Sequence, residues 1–231
     1  MSCAKITNII LDMDGTLLDH VLLYFHDIDS HEIIPIARPY LNLFMKYVFN
    51  NFERVSIWTA GTKEWFDKCY EKILKPSIPE GRNFHFIKTR SEYNYQAIVK
   101  PLEMIYHEYP DLYNFSNTLI IDDNPYTFVD NPEQALHIKQ FFYERLPMEV
   151  RENLDKHDFE LYNMILILNN KKYPGSIPFI ESSAKDIEDE SELWTLMTQP
   201  ICKSPSQVFD DAEIKAETEE LYNSVASIED W

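Results

Sequence analysis

Ile9-Ile10-Leu11-Asp12-Met13-Asp14-Gly15-Thr16 is the stretch on which the fold turns. A short apolar run rich in β-branched residues reads as a buried strand of a parallel sheet. In open α/β sheets, ligands sit beyond the carboxyl ends of such strands. Asp12 and Asp14 are therefore expected at the mouth of a crevice. Thr118-Leu119-Ile120-Ile121 has the same build and runs into Asp122-Asp123. Four acids are then expected together, where they would repel one another unless a cation sat among them. An all-oxygen site of this kind suits Mg²⁺.

Outward from these two strands, Leu41, Phe44, Met45 and Val48 recur at helical spacing behind Arg38-Pro39, and proline is tolerated in a first turn. His20 to Ala37 has no settled pattern. Val55-Ser56-Ile57-Trp58 reads as the next strand, and Thr59-Ala60-Gly61-Thr62 turns the chain into a helix from about Lys63 to Leu74. Pro76 and Pro79 are expected to stop it. Phe84-His85-Phe86-Ile87 reads as a short strand, Pro101 to Tyr109 as a helix, and Leu136-His137-Ile138 as a further strand. Val150, Leu154, Leu161, Ile165 and Leu168 suit one or two helices covering the sheet. Strands alternating with helices at these distances argue for an α/β fold, a Rossmann-like parallel sheet with right-handed crossovers.

A chain of 231 residues with 45% hydrophobic content can hold one sizeable domain and an appendage. The formal charge of −18 excludes a broad nucleic-acid or anionic-membrane footprint, since those need clustered Lys and Arg. Residues 1–172 are expected to form the domain, and 173–231 an acidic tail, partly helical or disordered. From Glu181 to Trp231 there are 14 Asp and Glu against 3 Lys, a composition that resists burial. Such a tail fits a basic partner, or a docking or autoinhibitory role. Cys3, Cys69 and Cys202 are too few and too scattered for a disulfide framework or a zinc site. No stretch reaches the roughly 18 apolar residues of a membrane span, and the opening residues lack the apolar core of a signal peptide. A monomer inside the cell, nuclear or cytoplasmic, is expected.

The acids imply phosphoryl chemistry. Asp12, first beyond its strand, is placed to attack phosphorus in line and form an aspartyl-phosphate. Asp14, two residues on across a turn helped by Gly15, could protonate the leaving oxygen and then deprotonate the hydrolytic water. Thr59 can donate its hydroxyl to a phosphate oxygen, and Lys100 can compensate the crowded acids. Taken singly, each has a plainer reading: an Asp-Gly turn, an N-cap hydroxyl, a surface lysine. Their order along the chain is what argues for a site.

In that order the chain resembles the haloacid dehalogenase superfamily of phosphatases, with motifs Asp-x-Asp-x-Thr, a Ser or Thr after the second strand, a Lys, and an acidic pair after a later strand. It is most similar to the NIF-domain branch that dephosphorylates the C-terminal domain of RNA polymerase II. Leu11 through Leu18, Arg38-Pro39, Phe52 through Ala60, Tyr95 through Lys100, Ile121 through Pro125 and Asn131 through Ala135 carry the likeness. It spans roughly residues 5 to 170.

The resemblance implies Asp12 as nucleophile and Asp14 as general acid/base, its main-chain carbonyl also on the metal. It further implies Asp123 as the chief metal ligand of the pair, Asp122 orienting the lysine or metal waters, and Thr59 and Lys100 holding the phosphoryl group. The metal set is then Asp12, Asp14, Asp122 and Asp123 around Mg²⁺. Gly15 stands where that branch often carries Glu, and His20 is given no role.

With a minimal cap and a small β insertion, the crevice is expected to be open and to favour a phosphorylated protein segment. Leu22, Tyr24, Ile33, Ile34, Phe84, Phe86, Tyr93 and Tyr95 fall in stretches that could wall a peptide groove, and Arg90 is the nearby cation for a second phosphate contact. The leading expectation is a Mg²⁺-dependent serine/threonine protein phosphatase. A small-molecule phosphatase of the same superfamily and a catalytically idle phosphopeptide-binding scaffold are the alternatives.

Overall fold

β1 (Asn8–Leu11) lies at the centre of a parallel sheet built with β4 (Arg54–Trp58), β5 (Ile87–Lys88), β6 (Thr118–Asp122) and β7 (Ala135–His137). The computed structural model describes residues 6–25, 30–90 and 100–169. Tyr93, Tyr95 and the acidic segment 173–231 lie outside them. Among the described residues the sheet runs β5-β4-β1-β6-β7, every pairing parallel. The chain steps outward from β1 to β4 and β5, then returns to β6 on the other side, which makes β1 the switch point where an α/β crevice opens. Leu11 pairs with both Ile57 and Ile121, so Asp12 comes out level with Trp58 and Asp122, one residue short of Thr59 and Asp123.

All four residues of β1 are buried, as a parallel strand covered on both faces requires. Ile9, Leu11, Val55, Ile57, Leu119 and Ile121 join one core with α1 (Leu41–Asn51) and α7 (Glu160–Asn169). Ile10, Trp58 and Ile120 point the other way, into Leu102 and Ile105 of α4 (Leu102–Glu108) and Tyr113. Each Ile or Leu so buried contributes about 1.5–3 kcal/mol against leaving it exposed. Phe84 packs between Phe49 and Tyr70, and Phe86 stacks on Tyr109. These two side chains therefore belong to the core rather than to a groove wall.

Two local readings of the sequence are corrected. The unsettled stretch His20 to Ala37 is an antiparallel hairpin, with β2 (Leu18–Phe25) paired to β3 (Ser30–Ala37). The second helix does not stop before Pro76: α2 (Lys63–Cys69) passes through a π turn at Tyr70–Leu74 into α3 (Lys75–Ser77). The wider turn explains the tolerance. Pro76 supplies no N–H and would crowd the carbonyl four residues back in a regular helix.

α5 (Tyr126–Asp130) and α6 (Met148–Arg151) complete the helices. No helix among the described residues is long and apolar enough to cross a membrane.

Arg38, only 2% exposed, ties distant parts of this frame together. Its Nε donates to both carboxylate oxygens of Asp158 at 3.1 Å. One terminal nitrogen donates to the Gly15 and Thr16 carbonyls at 3.3 and 3.1 Å, and the other to the Lys139 carbonyl at 2.7 Å. Phe141 covers the guanidinium at 5.4 Å. The turn that follows Asp14 is thus held from the segment that leads into α7.

Candidate active site

Three carboxylates meet where β1 and β6 end. Asp12, Asp122 and Asp123 each offer an oxygen, and these lie within 4.8 Å of one another. All three residues are buried. Lys100, 3% exposed, reaches them from just before α4, donating to Asp12 Oδ1 and, at 2.7 Å, to Asp122 Oδ2. Among the described residues, three negative groups against one positive group leave the cluster two charges short.

The members are satisfied unequally. Asp122 accepts from Lys100 and from the Thr127 hydroxyl at 2.9 Å on Oδ2, and from the Asn124 main chain at 2.8 Å on Oδ1. Asn131 backs this arrangement by donating to the Lys100 and Thr127 carbonyls. Asp123 accepts one side-chain bond, from the Thr16 hydroxyl at 3.2 Å. Burial and the neighbouring Asp122 charge push its carboxyl up to about 7. Asp12 is also raised, because burial, Asp122 and Asp123 outweigh the single cation beside it. Burial would lower the Lys100 ammonium, yet Asp12 and Asp122 hold it above its usual range. The lysine gains from the cluster while the acids are strained by it, which is what an undercompensated group of anions looks like.

A buried, all-oxygen, two-charge deficit fits a hard divalent cation. Asp12 and Asp123, the less satisfied pair, are the residues fitted to hold one.

Asp14 departs from the expectation that four carboxyls crowd together. Its side chain turns toward β4 and α2, where Oδ2 accepts from the Thr59 hydroxyl at 3.0 Å and Oδ1 from the Trp65 indole N–H at 2.5 Å. Burial raises its carboxyl, and these two donors work against that rise. Arg90 stands beside the same loop: its Nε donates to the Ala60 carbonyl at 2.6 Å and its main chain to Gly61 at 2.9 Å. All seven residues singled out from the sequence therefore lie at one end of the sheet.

Two glycines and two histidines also border the site, and of these His137 was not singled out for a role. A side chain at Gly61 would be crowded: an added Cβ would stand 3.0 Å from Asp14 Oδ2 and from the Trp65 ring, so these neighbours would have to give by a few tenths of an ångström. Gly15 has φ +80°, and a Cβ there would meet Asp123 Oδ2 at 2.5 Å. A Glu in that slot, common in the branch the chain resembles, would displace Asp123. His137 on β7 is buried, its ring hydrogen-bonded to the Asp123 main chain and pushed down to about 4 chiefly by burial. His20, given no role, packs edge-on against Trp65 at 5.8 Å. Of these, Gly15 and Gly61 had a sequence signal, Gly15 directly after Asp14 and Gly61 two residues after Thr59.

The Asp123 shift predicts a pH-dependent stability. The folded value near 7 lies above the roughly 3.9 of an unfolded Asp. In metal-free protein this group's contribution is fully present below about pH 4 and is lost as pH rises toward about 7. Asp123→Asn removes the group, so in chelator its melting midpoint should gain on that of the parent protein as pH rises from 4 to 7. Mg²⁺ should raise the parent's midpoint more at pH 8 than at pH 5. A midpoint difference that is flat with pH in chelator would contradict the crowding of these acids.

Comparison with known proteins places the chain. Residues 7–172 match the family model described as NLI interacting factor-like phosphatase. The ubiquitin-like domain-containing CTD phosphatase 1 of Danio rerio is 29% identical over 157 residues, which cover 64% of this chain and 46% of that protein. The ubiquitin-like domain-containing CTD phosphatase of Arabidopsis thaliana is 28% identical over 139 residues, 58% of this chain and 39% of its own. The chain thus spans less than half the length of these curated relatives. Among solved structures, Fcp1, an essential RNA polymerase II CTD phosphatase, aligns with a TM-score of 0.45 at 16% identity, over 97% of this chain and 63% of that one.

Proposed function

The chain belongs to the family of NLI interacting factor-like phosphatases, and on that footing we propose that it is a Mg²⁺-dependent phosphoserine/phosphothreonine protein phosphatase acting through an aspartyl-phosphate. The observation that carries this reading is the buried trio of Asp12, Asp122 and Asp123 around Lys100. Phosphorylated peptides of the polymerase C-terminal-domain type are the proposed substrates, by analogy with the relatives' names.

In the proposed reaction an oxygen of Asp12 bonds to phosphorus as the bond to the serine or threonine oxygen breaks. Asp14 delivers its proton to that leaving oxygen. Water then attacks phosphorus, Asp14 takes its proton, and the Asp12–phosphorus bond breaks to release phosphate. A cation held by Asp12, Asp123 and the Asp14 main chain would supply the positive charge that lets an anionic nucleophile approach an anionic phosphoryl group. Asp122 fixes the direction of Lys100, which with the Thr59 hydroxyl holds the phosphoryl oxygens. Arg90, beside the Thr59 loop, is the candidate contact for a second phosphate.

The β2–β3 hairpin leaves Leu23, Tyr24 and Ile33 exposed. It borders the site through His20 and Trp65, so a peptide could lie along it. Residues 1–172 are taken as the catalytic unit, and 173–231 as an acidic segment that recruits a basic partner. A monomer, nuclear or cytoplasmic, completes the reading.

The test is phosphate release from a panel of phosphopeptides, nucleotides and sugar phosphates, with Mg²⁺ and with chelator. Metal-dependent turnover of phosphopeptides supports the proposal. Preference for a metabolite would turn the assignment to a small-molecule phosphatase, and phosphopeptide binding without turnover to an idle scaffold.

A further inference from the structure

We propose that Trp65 is a positioning residue for Asp14: its indole N–H fixes the carboxyl so that Oδ2 faces the leaving-group oxygen. This rests on the phosphatase reading above and goes beyond it, because Trp65 belongs to none of the motifs that support that reading.

Each oxygen of Asp14 has one side-chain donor, Thr59 on Oδ2 at 3.0 Å and Trp65 on Oδ1 at 2.5 Å. The two donors differ in kind. The Thr59 hydroxyl can rotate, and it also accepts the Gly61 N–H at 2.9 Å. It is the group proposed to turn toward an arriving phosphoryl oxygen. An indole N–H only donates and cannot rotate independently of its ring. Once Thr59 engages the phosphoryl group, Trp65 is the side chain left holding Asp14. Oδ1 stays an acceptor, and Oδ2 is the oxygen free to carry the proton to the leaving group.

The indole is itself held from several sides. Trp65 sits in the first turn of α2, and its main-chain N–H is bound by the N-cap Thr62 hydroxyl at 3.2 Å. The edge-on ring of His20 packs against it, with interplanar angle 77°. The His20 ring in turn lies 3.2 Å from Asp19. Gly61 admits the close approach, since a Cβ there would stand 3.0 Å from both Asp14 Oδ2 and Trp65 Cδ1. A side chain built only to fill space would not need its one polar atom aimed at a buried carboxylate.

The consequence is selective by substrate. Serine departs as a poor leaving group that needs a proton, whereas 4-nitrophenolate departs without one. Trp65→Phe keeps a ring and removes the N–H. On a phosphoserine peptide its kcat/KM should fall about 10- to 100-fold, less than the roughly 10²- to 10⁴-fold of losing a proton donor outright, because the Asp14 carboxyl is still present. On 4-nitrophenyl phosphate kcat/KM, which ends at departure of the leaving group and so excludes the later hydrolysis that also uses Asp14, should stay within about 2-fold of the parent enzyme. In an Asp14→Asn background, adding Trp65→Phe should change neither rate by more than about 2-fold.

Melting midpoints report whether the variant folds. If Phe loosens the packing, 3-benzothienylalanine at position 65 removes the N–H while keeping the bicyclic ring, and the same contrast is expected of it. Equal losses on both substrates, or no loss on phosphoserine, overturn the inference while the phosphatase reading stands. A parent enzyme inert on both substrates overturns that reading and this inference with it.

Discussion

Asp12→Asn is expected to abolish phosphate release while leaving the fold intact. The amide matches the carboxylate in shape but is a far weaker nucleophile, and as a neutral oxygen donor it is a weaker ligand for a divalent cation. Loss of a covalent nucleophile costs on the order of 10⁴- to 10⁶-fold in kcat. The fold should survive because Lys100 keeps its 2.7 Å bond to Asp122, and because the variant removes one charge from a cluster that has too many negatives. In metal-free buffer the variant should melt no lower than the parent. Activity is read by phosphate release and stability by thermal melts in chelator. Residual turnover within 100-fold of the parent would mean that another group attacks phosphorus.

Lys100→Met is expected to damage both activity and stability. Among the described residues the ammonium is the one cation that bonds within the cluster, contacting Asp12 and Asp122 at once. Removing one partner of a buried ion pair costs about 3–5 kcal/mol, because the remaining charges are left uncompensated. Loss of one preorganised donor to a phosphoryl oxygen adds about 10²- to 10³-fold in kcat. The two losses separate by pH. At low pH the carboxyls take up protons and the missing cation matters less, so the stability deficit should widen as pH rises. Urea unfolding at several pH values checks this, and a deficit that narrows with rising pH would contradict the assigned electrostatics.

The parts legible in the sequence share a physical cause. β1 and β6 are buried on both faces, so they read as unbroken apolar runs, and the acids that end them cannot enter the core. Lys100 was legible only by its place in a known order of motifs, since a lone lysine carries no local signal. The hairpin was not legible. Leu18 to Phe25 does not alternate cleanly, and Pro35 lies within β3 opposite His20. Proline is tolerated there because a two-stranded ribbon has only edge strands. The helix through Pro76 was missed because a π turn has no pattern of its own. Trp65 reaches Asp14 across 51 residues, and Arg38 reaches Asp158 across 120. Such pairings are decided by tertiary packing, which periodicity does not record. Phe84 and Phe86 looked like groove aromatics because exposure cannot be read from residue type alone.

Arg38 has a consequence for dissecting the molecule. Its guanidinium grips the Asp158 carboxylate on one side and the Gly15 and Thr16 carbonyls on the other, making the approach to the last described helix a buttress for the reaction centre. A fragment cut before Asp158 would keep every acid and lysine of the cluster, yet leave the loop beneath them without that support. A truncation that spares the site is therefore expected to run well past Asp123, at least through Asp158, which contributes no chemistry of its own.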